Sequence, residues 1–151
     1  MSDKSYAKNL VKVPVREVSR KINVKGRTNP TLTYMSNDQV PGSNMYIEFG
    51  WIWDVPDPNP HIPEHGHEDY DEIVLHIGCD PQNPEELGAE IEFTIGGEKL
   101  TIDKTSAIFV PRGVKHGPVT WKRVAKPHIQ MAMVIGAGNL EEADPGGQEK
   151  L

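Results

Sequence analysis

The chain has 151 residues, which fits one domain able to bury roughly 68 to 70% of the surface that its unfolded chain exposes. It carries 14 glycines and 13 prolines, with 36% hydrophobic and 25% charged residues, a mix that favours short strands joined by turns. Its formal charge of -6 argues against nucleic-acid binding, which needs clustered basic residues. Lone Cys79 excludes an intrachain disulfide. Since no stretch looks like a signal peptide or a membrane span, we expect a cytoplasmic, all-β protein.

The first part of the chain predicts an arm followed by one long strand. Residues 1–44 are polar with scattered Val and Ile, and the basic residues between Lys8 and Lys25 alternate with these apolar ones. We expect an N-terminal arm with short strands that packs on the main body. The aromatic run 45–53 predicts a strand, and the proline-rich run 55–63 predicts a stiff loop after it.

The central part of the chain contains a buried strand, a connection and a hairpin. The continuous apolar run 73–77 is typical of a buried strand, and the proline-containing run 79–91 predicts a long connection that could cover a site. Apolar and polar residues then alternate on both sides of Gly96-Gly97. A two-residue hairpin there pairs 95 with 98, 93 with 100 and 91 with 102, so that the apolar residues share one face.

Further strands are predicted at 107–110, 119–124 and 128–135, each bounded by Pro or Gly. The remaining residues, 137–151, form an acidic stretch that we expect to be a flexible tail. No internal repeat is visible, so the sequence predicts one barrel at 45–136 between the arm and the tail.

Two histidine motifs carry the chemistry. His65 and His67 are two residues apart, so in extended chain both imidazoles point to one face. Glu72 follows at the entrance of a buried strand, where an unpaired carboxylate is costly. Downstream, Pro111 and the flexible Gly113 form a bend that can aim His116 back into the barrel.

These motifs resemble those of the cupin superfamily over about residues 45–135. Its first motif, two histidines flanking one residue, then glutamate and glycine, is similar to His65, His67, Glu72 and Gly78. Its second, proline, glycine and histidine, is similar to Pro111, Gly113 and His116. The resemblance implies a double-stranded β-helix (jelly-roll) barrel, a homodimer, and one metal ion held by His65, His67, Glu72 and His116.

Three imidazoles and one carboxylate suit a divalent transition metal ion (Fe, Mn, Ni, Co or Zn) without choosing among them. The alternatives are a metal-free barrel and histidines that simply lie on the surface of a proline-rich loop. The HxHxDH signature of metallo-β-lactamase-like hydrolases matches His65, His67 and Asp69, but Tyr70 stands in its last place.

Other side chains are candidates for the surroundings of the metal. His76 has the same parity as Glu72 in an extended strand, and His128 shares one face of the last strand with Gln130. Both histidines are therefore candidate catalytic residues or hydrogen-bonding partners of the ligands. An interior histidine that is hydrogen-bonded to its neighbours is an equally good interpretation of each. Candidate substrate contacts are Trp51, Trp53, Gln130 and Arg112. The plainer interpretation of Arg112 is a solvated charge on a turn, and that of the tryptophans is core. His61 is read as a loop residue.

Two functions fit this sequence. One is a metal-dependent enzyme (a dioxygenase, isomerase or lyase) that chelates and activates a small oxygenated substrate. The other is a non-catalytic barrel that binds or senses a small-molecule ligand, because one fold hosts both kinds of function. The complete ligand set favours the enzyme.

Overall fold

The structure is a computed structural model that describes residues 5–16 and 23–147. A 3₁₀ turn (Ala7–Asn9) comes first, and a short helix α1 (Leu140–Ala143) comes last. The strands between them are β1 (Val15–Arg16), β2 (Lys25–Arg27), β3 (Leu32–Met35), β4 (Met45–Asp57), β5 (Asp71–Gly78), β6 (Glu86–Ile95), β7 (Glu98–Lys104), β8 (Ser106–Val110), β9 (His116–Val124) and β10 (His128–Ile135).

The strands form two antiparallel sheets. The larger has the order β1-β3-β4-β10-β5-β8, with β2 also paired to β4, and the smaller has the order β7-β6-β9. The core lies between the two sheets, where Ile52 and Val74 of the larger sheet pack with Ile91, Phe93 and Trp121 of the smaller. Each sheet therefore buries one face against the other, as in a jelly roll.

The predicted hairpin is confirmed residue by residue. Ile95 pairs with Glu98, Phe93 with Leu100 and Ile91 with Ile102. Both turn glycines have positive φ angles, +56° at Gly96 and +82° at Gly97, as a two-residue turn between twisted strands requires. The strand predicted at 73–77 is also confirmed and extends from Asp71 to Gly78, but Glu72, Val74 and His76 are buried while the apolar residues between them are half-buried.

Two boundaries differ from the prediction. Strand β4 continues through Pro56 to Asp57, because its partner β10 ends opposite Ile52 and, among the described strands, only β2 pairs with β4 beyond that point. A proline that faces no ladder partner costs no hydrogen bond. The connection predicted at 79–91 is shorter, since β6 already begins at Glu86 and takes up a register shift before Ile91.

The division into arm, barrel and tail stays a prediction. Strands β1 and β2 fall within the predicted arm, where β1 pairs with β3. Residues 17–22 of the basic stretch, and 148–151 of the predicted flexible tail, lie outside the described residues. In the part of the chain that the structure describes, no helix has the length and apolar character to cross a membrane.

Candidate metal centre

The four predicted ligands come from three segments that meet between the sheets. His65 and His67 precede β5, Glu72 is the second residue of β5, and His116 is the first residue of β9. The backbones of His65 and His116 bond to each other in both directions, at 2.9 and 2.8 Å from nitrogen to oxygen. This isolated bridge brings the first histidine motif against the second.

Gly117 makes this approach possible. Its φ angle is +84°, and a Cβ at this position would lie 2.4 Å from the carbonyl oxygen of Pro63. A side chain here would both strain the backbone and push away the segment that carries His65. The glycine after His116 is therefore a steric requirement of the site.

One donor atom from each of His65, His67, Glu72 and His116 lies within 4.8 Å of all the others, and these four residues could hold a metal ion. Glu72 Oε2 is 3.1 Å from His67 Nε2 and 2.9 Å from His116 Nε2. Two ligands at right angles on one ion, each about 2.1 Å from it, are separated by about 3 Å. The spacing fits a shared ion.

The hydrogen bonds of His116 are also those expected of a metal ligand. His116 Nδ1 donates to the Val114 carbonyl at 3.1 Å, which leaves Nε2 with a lone pair. That Nε2 is buried and lies 2.9 Å from Glu72 Oε2 without a well-formed hydrogen bond to it. A buried nitrogen without a hydrogen-bonding partner needs an explanation, and an ion between it and Glu72 supplies one.

His65 shows a similar conflict. Its Nδ1 lies 2.8 Å from the Pro63 carbonyl oxygen and its Nε2 2.9 Å from that of Pro145. A neutral imidazole has one N–H and cannot donate to both. Burial lowers the pKa of His65, so the neutral ring is favoured. An ion at Nε2 would leave Nδ1–H to donate to Pro63 and satisfy the ring.

Electrostatics favour an anionic Glu72. Burial alone would raise the pKa of Glu72, but His116 and His67 outweigh this effect and lower it. Burial likewise opposes a charge on His116, and the Glu72 carboxylate reverses this and raises its pKa. An ionised carboxylate held against imidazoles is the ligand form that a divalent cation needs.

The four residues adjoin a cleft of about 750 Å³, including its solvent-filled mouth. His65, Glu72 and His116 line it, together with apolar side chains from both sheets such as Val74 and Phe93. A small molecule in the cleft would therefore reach the ligand cluster.

Two of the predicted substrate contacts line this cleft and two do not. Trp51 and Gln130 are in its lining. Trp53 is 53% exposed and is not part of the lining. Arg112 has a side chain that is 61% exposed and lies 3.5 Å from Asp71, so it sits on the turn outside the cleft.

His76 and His128 are fully buried and are not part of the cleft lining. His128 Nε2 accepts from Trp121 Nε1 at 3.1 Å, and His76 Nε2 lies 3.5 Å from the Gln130 amide nitrogen. Burial lowers the pKa of His76 to about 3 and that of His128 to about 4. Both are neutral at pH 7, and His76 touches the cleft through Gln130.

Sequence reasoning missed Arg27 and the contact that Tyr70 makes with His67. Arg27 lines the cleft, and its Nη1 donates to His61 Nε2 at 3.3 Å, while the His61 ring stacks on Trp121. His61 is thus a loop residue that is also buried. Tyr70 contacts His67 through its hydroxyl. Tyr70 follows His67 by three residues, but this spacing does not reveal their contact. No sequence pattern in the short strand β2 indicates that Arg27 reaches the cleft.

The chain matches no protein-family model and no curated protein. Among solved structures, it is similar to a predicted oxalate decarboxylase from Thermotoga maritima, with 15% identity, a TM-score of 0.51 and coverage of 81% of this chain and 90% of that one. An RmlC-like cupin from Shewanella frigidimarina has 13% identity, a TM-score of 0.46 and coverage of 91% and 93%. KdgF from a Halomonas species has 15% identity, a TM-score of 0.47 and coverage of 72% and 81%. The cupin-type jelly-roll fold predicted from the two motifs is confirmed.

Proposed function

We propose that this protein is a metal-dependent enzyme that chelates and activates a small oxygenated substrate at a divalent transition metal ion. The observation that carries the proposal is the convergence of one donor atom each from His65, His67, Glu72 and His116 within 4.8 Å. A bound ion would act as a Lewis acid on oxygen atoms of the substrate.

The residues of the cleft support a substrate of this kind. Arg27, Glu48 and Gln130 add polar groups to a wall that also contains apolar side chains, and such walls orient a ligand through a few polar contacts. His76 lies against the Gln130 amide, which helps to hold that side chain in place. The similar structure described as a predicted oxalate decarboxylase is named for a small oxygenated substrate, which is consistent with this proposal.

The first test is elemental analysis of protein purified without chelator or affinity-tag metal, paired with His67→Ala. Near-stoichiometric Fe, Mn, Ni, Co or Zn in the native protein and its loss in the variant support the site. His61→Asn is the matched control, because His61 is buried but is not one of the four ligands, and it should keep the metal.

Activity then separates the two functions. The loaded protein is incubated with small hydroxy acids, keto acids and enediols, with and without O₂, and products are followed by mass spectrometry. Turnover that depends on the metal supports an enzyme. Tight binding of one of these compounds without turnover would replace the proposal by a ligand-binding barrel, and a protein that binds no metal on titration would exclude the metal-dependent enzyme.

A further inference from the structure

The three histidines of the cluster differ in what holds their Nδ1 atoms. His65 Nδ1 and His116 Nδ1 face the backbone carbonyls of Pro63 and Val114, each two residues earlier in the chain. His67 Nδ1 instead lies 3.0 Å from the Tyr70 hydroxyl oxygen. Among these three partners, Tyr70 alone is a side chain.

The Tyr70 hydroxyl also forms a hydrogen bond with helix α1. It donates a hydrogen bond to the carbonyl oxygen of Ala143, the last residue of α1. The Tyr70 ring also stacks on the His67 ring, with centroids 4.9 Å apart and an interplanar angle of 27°.

A tyrosine hydroxyl has one hydrogen to give. Since that hydrogen goes to Ala143, the oxygen can only accept from His67. The acceptor oxygen favours the His67 tautomer that carries its hydrogen on Nδ1. In that tautomer Nε2 has a free lone pair, and Nε2 is the nitrogen that faces Glu72 at 3.1 Å.

Without an ion, each tautomer leaves one contact of His67 unsatisfied. The Nδ1–H form turns its Nε2 lone pair towards the Glu72 carboxylate at 3.1 Å, and the opposite form fails at Tyr70. With the hydrogen on Nε2, His67 donates to Glu72, and its Nδ1 lone pair then faces the Tyr70 oxygen. Tyr70 would have to abandon Ala143 to satisfy that lone pair, which would leave a buried carbonyl without this donor. A metal ion at Nε2 removes the conflict, because the series His67 Nδ1–H, Tyr70 O–H and Ala143 C=O is then satisfied at each step.

Helix α1 is itself held in place without any metal. Its N-cap Asn139 accepts from the Glu142 amide at 2.9 Å, and Glu142 Oε2 accepts from the Gly138 amide at 2.8 Å. Ala143 is fully buried in one apolar cluster with Tyr70, Tyr46, Val134 and Ala137. The acceptor for the Tyr70 hydroxyl is therefore fixed by packing.

We propose that Tyr70 is a positioning residue of the metal site, through which the docked helix α1 selects the His67 tautomer able to bind an ion. This inference rests on the proposed metal site and deepens it. Ligand histidines commonly donate their second N–H to such a partner, and its loss typically lowers metal affinity 10- to 100-fold. By linkage, metal binding must in turn stabilise the docking of α1.

The test compares Tyr70→Phe with the matched control Tyr46→Phe. Tyr46 belongs to the same apolar cluster, and its buried hydroxyl lies 2.6 Å from Thr33 Oγ1. Zn(II) affinity is measured by competition with a chromophoric chelator. We expect the dissociation constant of Tyr70→Phe to rise about 10- to 100-fold and that of Tyr46→Phe to stay within about twofold of the wild type.

A second readout follows α1. The amide of Ala143 donates to the Asn139 carbonyl at 2.9 Å, so its hydrogen exchange reports docking. Zn(II) should slow this exchange in the wild type and in Tyr46→Phe, and the effect should disappear in Tyr70→Phe. If Tyr70→Phe does not fold, ¹⁵N NMR of the Zn(II)-loaded wild type still decides, because the His67 hydrogen must be found on Nδ1.

The outcomes separate the two proposals. Zn(II) affinity and Ala143 protection in Tyr70→Phe equal to the wild type, or His67 metallated through Nδ1, would overturn the role of Tyr70 and leave the metal site standing. A wild type that binds no Zn(II) would overturn both. If the metal-loaded protein shows no turnover but Tyr70→Phe still lowers Zn(II) affinity, only the proposed enzymatic activity would be overturned.

Discussion

Glu72 Oε2 and His116 Nε2 lie 2.9 Å apart, although Glu72 belongs to β5 of the larger sheet and His116 to β9 of the smaller one. The contact joins the two sheets at the ligand cluster. Its charge comes from Glu72, whose pKa is lowered by His116 and His67 in spite of the opposing effect of burial.

Glu72→Gln keeps the shape of this side chain and removes its charge. We expect metal affinity to fall at least about tenfold, since even the outer partners of metal ligands contribute that much. Chelator competition measures the change. Glu92→Gln is the control, because Glu92 pairs with exposed Lys99 at 3.3 Å away from the site, and equal affinities in the two variants would contradict the role of Glu72.

Metal should stabilise the folded protein. An ion that binds only the native state adds about 2.7 kcal/mol to the free energy of unfolding when its free concentration is 100 times the dissociation constant. Urea unfolding of chelator-treated protein, with and without added metal, measures this difference. In the His67→Ala variant, added metal should increase the free energy of unfolding only slightly. An increase equal to that of the wild type would mean that the ion binds elsewhere.

Gly117→Ala should weaken both stability and metal binding, because the new Cβ meets the Pro63 carbonyl oxygen at 2.4 Å and the φ angle of +84° is strained for alanine. The strain alone costs about 1 to 3 kcal/mol. Gly97→Ala separates the two effects, since Gly97 has a φ of +82° with no atom within 4 Å of a Cβ. It should lose stability alone, so equal metal affinity in the two variants would refute the steric role of Gly117.

Acid should destabilise the fold through His76. Burial lowers its folded pKa from 6.5 to about 3, so between these values the unfolded chain binds a proton that the folded one excludes. The free energy of unfolding therefore falls as pH drops from 6.5 towards 3, by at most about 1.4 kcal/mol per pH unit for one such histidine.

Urea unfolding at pH 7, 6, 5 and 4 checks this prediction, with chelator present throughout so that metal release does not contribute. His76→Gln should show a shallower loss of stability over this range than the wild type. Identical pH profiles would mean that His76 accepts its proton in the folded state at an ordinary pKa.

The local patterns of the sequence determined most of the fold. The alternation around Gly96-Gly97 fixed the register of β6 and β7, because a two-residue turn allows one pairing that keeps both apolar faces together. The predicted end of β4 at residue 53 was wrong, because the sequence does not reveal that Pro56 lies where no hydrogen bond to a neighbouring strand is needed. Trp53 and Arg112 are exposed and lie outside the cleft, because the sequence does not reveal which side chains of a strand or a turn reach it.

The sequence by itself determined the four candidate ligands His65, His67, Glu72 and His116, because their spacing within each motif is a local property of extended chain and turns. The tertiary structure alone decided what surrounds them. Arg27 arrives from the N-terminal strands and Ala143 from the last helix, and contacts between segments so distant in sequence depend on how two sheets pack. Hydrogen bonds such as that of Tyr70 arise only after this packing, because only then are donor and acceptor buried together.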